Sequence, residues 1–118
     1  MLTAASIESI INLTSEDKIE LWGGKGLSID DAIHIVHAGL LNDIHTLENK
    51  IIHVDCYFES WQSWKKIRSE LIMEDDQIYE RAILRYHETA EGPEKQLEIY
   101  FNITTCFGKQ SIMPSFDQ

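Results

Sequence analysis

Cysteine is scarce in this chain: Cys56 and Cys106 are the only two in 118 residues, too few to read as a disulfide framework and in keeping with a reducing compartment. Basic side chains are also few. Ten Lys and Arg stand against 20 Asp and Glu, which leaves a net charge of −10 and an isoelectric point near 4.8. A field of that sign repels polyphosphate backbones, so no nucleic-acid partner is expected. Long apolar runs are missing too. Nothing approaches the roughly 18 residues of a membrane helix, and the last apolar cluster, Ile112 to Phe116, is interrupted by Pro114, so no membrane partner is expected. The stretch before Lys18 holds no Lys or Arg and no long apolar core, which predicts no secretory leader and a cytoplasmic location. In that setting the acceptor sequons at Asn12-Leu13-Thr14 and Asn102-Ile103-Thr104 carry no weight.

What is present is an ordinary globular composition, 43% hydrophobic and 25% charged, in a length that fits one domain over residues 1–118. Ile7, Ile10 and Ile11 recur at helical spacing behind Thr3, a suitable N-cap, and predict a helix over 3–13. Alternation at Lys18 to Trp22 predicts a short strand, and Gly23, Gly24 and Gly26 a turn. The next stretch reads two ways. Ser28 with Asp31 fits a capping box opening one helix over 29–52, while the β-rich Ala32 to Val36 and the interrupting Gly39 favour a strand at 32–36 and a helix at 40–52. The second division is adopted, with Leu40, Leu41, Ile44, Leu47 and Ile51 as the buried stripe and Asn42, Asp43, Glu48 and Asn49 outside.

Three β-rich segments follow, 64–73, 78–87 and 96–107, separated by Glu74-Asp75-Asp76-Gln77 and by Thr89 to Lys95, and these predict an antiparallel meander. The expected fold is α+β: a helix packed on an antiparallel sheet in a strand–helix–three-strand order, with an extra N-terminal helix. Period-two alternation places Ile67, Leu71 and Met73 inward on the first meander strand, Ile78, Ala82, Leu84 and Tyr86 on the second, and Leu97, Ile99, Phe101 and Ile103 on the third. The opposite face then gathers Trp64, Lys66, Arg68, Tyr79, Arg81, Arg85 and Tyr100, beside Glu70, Ile83 and Glu98. Basic groups interleaved with aromatic rings make this face the candidate partner-binding surface, against the simpler reading of cross-strand pairs on a solvated face.

Catalytic motifs are not found. Gly24-Lys25-Gly26 lacks the third glycine of a dinucleotide fingerprint, since position 29 is Ile29, and lacks the Lys-Ser/Thr of a phosphate loop. His34, His37, His45, His53 and His87 do not converge at metal-ligand spacing, so no metal and no cofactor is expected. His53-Val54-Asp55-Cys56 contains the residue types of a cysteine nucleophile, but sequence adjacency does not produce the required geometry, and the segment reads as a connector. Asp30-Asp31 and Glu74-Asp75-Asp76 read as solvated element ends rather than as paired catalytic carboxylates.

Two segments carry a resemblance. Gly24-Lys25-Gly26-Leu27-Ser28-Ile29-Asp30-Asp31-Ala32-Ile33-His34-Ile35 follows the pattern Gly-x-Gly-x-Ser-x-x-x-Ala-Ile-x-Ile, and Tyr100-Phe101-Asn102-Ile103-Thr104-Thr105-Cys106-Phe107-Gly108-Lys109 follows Tyr-Phe-Asp-Ile-Thr-x-Phe-Phe-Gly-Lys. Together they resemble a family of short uncharacterised bacterial proteins, with Asn102 in place of the aspartate and Cys106 in place of the first phenylalanine. The resemblance covers residues 24–109 and implies a strand–helix–three-strand core, with residues 1–22 as an N-terminal extension and 110–118 as a tail. It implies no activity.

Size, acidity and missing catalytic motifs lead to the expectation of a non-catalytic, acidic protein-binding module. An immunity-type neutraliser of a basic toxin is its specific form. The alternatives are a self-associating subunit, as a homodimer, and a small-ligand or enzymatic domain with a cleft lined by Tyr57, Trp61, Trp64 and His87.

Overall fold

A computed structural model describes residues 1–14, 16, 18–38 and 43–106. The chain forms α1 (Ala4–Thr14), β1 (Glu20–Gly23), β2 (Ile33–His37), α2 (Ile44–Glu59), β3 (Ser63–Glu74), β4 (Gln77–His87) and β5 (Glu94–Asn102). The five strands make one sheet in the order β1-β2-β5-β4-β3. The expected α+β architecture, with an N-terminal helix and a helix packed on the sheet, is the one found. The sheet is mixed: α2 carries the chain across from β2 to β3, and the meander returns β5 to lie parallel to β2, while the other three pairs are antiparallel.

Local chemistry sets the ends of these elements. The Thr3 hydroxyl accepts from the Ser6 N–H at 3.4 Å and opens α1, as its type and position predict. Near the other end of α1, the Asn12 side-chain amide both donates to the Ile19 carbonyl and accepts from the Ile19 N–H, each at 2.9 Å, which ties α1 to the lead-in of β1. The turn after β1 needs glycine: Gly23 and Gly26 have φ of +110° and +86°, and a Cβ on Gly26 would lie 2.9 Å from Ile99. The Gly26 carbonyl accepts from the Tyr100 N–H at 2.7 Å, so the glycine segment is packed against β5. Ser28 caps no helix. Its hydroxyl accepts from the Asp31 N–H at 3.2 Å within a local turn, and the strand-then-helix division is the one observed.

Helix α2 starts and ends later than the spacing predicts. Asp43 caps it, its carboxylate accepting from the Thr46 N–H at 2.6 Å. Ser60, left-handed at φ 60°, stops it, with the Trp61 N–H reaching back to the Cys56 carbonyl at 3.0 Å. The supposed connector His53 to Cys56 is therefore helical. Leu40 and Leu41, assigned to the stripe, lie outside the described residues, as do Phe107 and the tail 110–118. The buried stripe of α2 is Ile44, Leu47, Glu48, Ile51, Ile52, Asp55 and Cys56. Glu48, expected outside, is inside.

The pairings define two faces. On the inner face Gly23, Ile33, Phe101, Glu80 and Leu71 form one row across the five strands. Below it, Ile99 pairs with Ala82 and Leu97 with Leu84. Ile33, Phe101, Ile99, Ala82, Leu84 and Leu97 meet Ile44, Leu47, Ile51 and Ile52 of α2 and Ala4 and Ile7 of α1 in one core. Both helices thus lie on the same side of the sheet. Strict alternation fails on β3, where Ile67 is an extra residue: Lys66 is opposite Leu84 and Arg68 opposite Ile83. Parity changes at that point. Trp64 and Lys66 consequently lie on the inner face, not the outer one, and Ile67, expected inward, is exposed. Leu71 and Met73 do share the inner side, yet are 54% and 73% exposed on the distal half of the long β3–β4 hairpin.

Candidate functional site

The outer sheet face is continuous across all five strands. Trp22, His34, Asn102, Tyr79 and Ile72 form one row, Tyr100, Arg81 and Glu70 the next, and Glu98, Ile83 and Arg68 a third. Of the seven residues predicted for this surface, Arg68, Tyr79, Arg81, Arg85 and Tyr100 are brought together here, and the bulge at Ile67 removes Trp64 and Lys66.

The three arginines of this face are matched by its own carboxylates. Glu70 accepts from Arg68 Nε at 2.9 Å and from Arg81 Nε at 3.0 Å, and the two guanidinium groups, Arg81 first, hold its carboxyl below the usual carboxylate range. Arg85 lies 3.7 Å from Glu94, and the Tyr100 hydroxyl donates to Glu98 at 3.1 Å. At the β1 end of the first row the Trp22 indole stacks on His34, centroids 3.7 Å apart, and burial lowers the His34 pKa, so the imidazole is neutral against the ring at physiological pH. Trp22 remains 56% exposed. Carboxylates bound the face along the strands: Glu74, Asp75 and Asp76 at the β3–β4 turn, and Glu88, Glu91 and Glu94 at the β4–β5 turn.

Inside the helix–sheet layer the chemistry is different. Glu48 of α2 is fully buried and Glu80 of β4 nearly so. Both Glu48 oxygens and Glu80 Oε1 have no hydrogen-bond partner among the described residues. Burial first, and then the neighbouring Glu80 carboxyl, push the Glu48 pKa far above the ordinary carboxylate range, so this pair can sit together only with a proton or a cation between them. His45, one turn before Glu48 and exposed to solvent, puts Nδ1 at 3.6 Å from Glu48 Oε1 and 3.5 Å from Glu80 Oε2. Lys66 adds a positive charge nearby. Sequence reasoning missed this cluster because it read around Glu80, the one charged residue among the inward positions of β4, and turned Glu48 to the outside of its helix.

Other candidates separate. Cys56 is buried, contacts the Trp61 carbonyl at 3.6 Å, and burial pushes its thiol pKa up, the reverse of what a nucleophile needs. Trp61 is buried and stacks on Tyr86 at 4.2 Å, while Tyr57 is exposed. Of the four residues expected to line a cleft, Trp64 alone borders the groove between α1 and α2, together with Ile11, Lys50 and Val54. No helix of the described chain is long and apolar enough to cross a membrane. No protein-family model, curated protein or solved structure matches the chain.

Proposed function

We propose that the chain is a non-catalytic protein-binding module that receives a basic protein on the outer sheet face. The observation that carries this reading is the make-up of that face: Trp22, Tyr79 and Ile72, in the row they share with His34 and Asn102, lie between two groups of turn carboxylates. Aromatic anchors inside a charged rim are common in protein interfaces, and Trp, Tyr and Arg dominate the energetics of such surfaces. Because Arg68, Arg81 and Arg85 are already engaged by Glu70 and Glu94, the acidic rim and the net charge of −10 set the sign of the partner. An immunity-type neutraliser of a basic toxin, acting in the cytoplasm, is the specific form of this proposal. Self-association through the β3 edge of the sheet is disfavoured by the bulge at Ile67 and by Lys65, Lys66 and Arg68 on that strand.

Capture from the source cells tests it. The tagged chain should recover a stoichiometric protein of high isoelectric point at low salt and release it as the salt is raised. Replacing Trp22 and Tyr79 together by alanine should weaken that capture about tenfold or more. Recovery of the chain alone as a defined dimer, or capture indifferent to the double substitution, overturns the reading.

A further inference from the structure

We infer that His45, Glu48 and Glu80 form a binding site for a single divalent transition-metal ion, with Zn²⁺ as the reference ion, at the N-terminal end of α2 over β4. The donor set is one imidazole nitrogen and two carboxylates, whose ligand atoms all lie within 4.8 Å of one another. His45 Nδ1 is 3.6 and 3.5 Å from the two carboxylate oxygens. Two ligands bonded at about 2.1 Å in a tetrahedral arrangement are about 3.4 Å apart, so these separations fit such an ion with little movement.

The acidic pair alone would not make a site. What points to a ligand is Glu48 itself, a fully buried side chain facing Glu80 with neither oxygen partnered among the described residues. Burying a carboxylate without partners costs several kcal/mol or forces it to keep its proton, and nothing in the packing of Ile44, Leu47 and Ile51 requires a polar group at position 48. A single proton shared between the carboxyls leaves one negative charge in the core. A dication neutralises both and uses the imidazole as well. The nitrogen ligand and the small donor number select against Mg²⁺ and Ca²⁺, which need near-octahedral or larger shells of oxygen. His45 is 65% exposed, which gives the ion an entry route and leaves a coordination position open to water. Asp43 and Lys66 flank Glu48 with opposite charges, and Lys66 weakens the pull of the carboxylates on a cation without abolishing it.

The test uses the full chain, stripped with a chelator and titrated with ZnCl₂ by calorimetry in two buffers of different ionisation enthalpy. The expected result is one Zn²⁺ per chain, release of a proton on binding, and a thermal midpoint that rises with zinc concentration. His45→Ala, at a position 65% exposed, should weaken binding at least about tenfold, and Glu80→Gln should do the same. MgCl₂ should fail to compete. No stoichiometric zinc overturns the site, as does an affinity unchanged by His45→Ala, which would move the ion to other histidines, or Mg²⁺ binding as strong as Zn²⁺, which would remove the nitrogen ligand. Should Glu80→Gln not fold, the His45→Ala result decides.

Discussion

Glu70 and Glu80 sit on adjacent strands, on opposite faces of one sheet, and are treated in opposite ways. On the outer face Glu70 is held by two guanidinium groups and kept ionised. On the inner face Glu80 and its neighbour Glu48 are buried, and three of their four oxygens have no hydrogen bond among the described residues. A face that solvent can reach tolerates charge cheaply and still hydrogen-bonds it, whereas the core, where an orphaned carboxylate costs most, leaves three of these four oxygens without a hydrogen bond among the described residues. Stability alone does not produce that distribution. The outer face reads as a surface balanced to meet another surface, and the inner cluster as a position kept for something other than packing.

The largest expected effect breaks the comparison at its base. Ile99→Ala removes a fully buried inner-face side chain that touches the common core, and should cost about 2–5 kcal/mol in a denaturant melt. Ile83→Ala removes an equal volume from the outer face at a side chain that is buried but lies outside that core, and should cost less, about 1–3 kcal/mol. Equal costs would mean that the side chains of the outer face pack Ile83 as tightly as the core packs Ile99.

The second effect concerns Asp55, the other buried carboxylate of α2. One of its oxygens accepts from the Leu2 N–H at 3.1 Å and the other has no partner among the described residues. Burial pushes its pKa up to about 6, against the pull of that N–H. A carboxyl whose folded pKa lies above its unfolded one favours the fold while it is protonated. Its contribution is fully present below about pH 4 and is lost as the pH rises through about 6, a change of about 3 kcal/mol at most. Asp55→Asn keeps the shape and the acceptor for Leu2 but cannot ionise, so unfolding free energy plotted against pH between 4 and 7 should flatten. A slope unchanged by the substitution would assign the pH dependence to other groups.

Much of the architecture is legible in the residues. β-rich runs between Glu74-Asp75-Asp76-Gln77 and Thr89 to Lys95 mark the meander, and Asp75 and Asp76 take the positive φ that a tight hairpin turn requires. Period two then places the inner residues of β4 and β5 correctly. It fails on β3, because a bulge is a property of how two strands pair, and Ile67 carries no glycine or proline to announce it. The parallel pairing of β2 with β5 is equally silent, being decided by where α2 deposits the chain. The carboxylate cluster was half legible: a charged residue at 80, among the inward positions 78, 82, 84 and 86, is a signal in itself. Glu48 was hidden by its charge: it lies four residues after Ile44 and three before Ile51, both in the predicted stripe, and reads as outside because a carboxylate is rarely buried.

The smallest effect sharpens the outer face. Trp22 lies over His34 with the rings 15° from parallel, and it is the exposed member of the pair. Trp22→Ala should change global stability by less than about 1 kcal/mol, as expected for one cross-strand pair on β1, the other edge strand of the sheet. The local reading should still move. Partial burial disfavours the charged imidazolium, so uncovering the ring lets water stabilise it, and the His34 pKa followed by NMR titration should rise towards the ordinary value of about 6.5. A residue whose removal leaves the fold intact while rehydrating its neighbour is held in place by the sheet without supporting it, which is the property a docking residue needs. If instead the melt collapses, Trp22 belongs to the structure, and the contrast between the two faces would have to be drawn from Tyr79 and Ile72 alone.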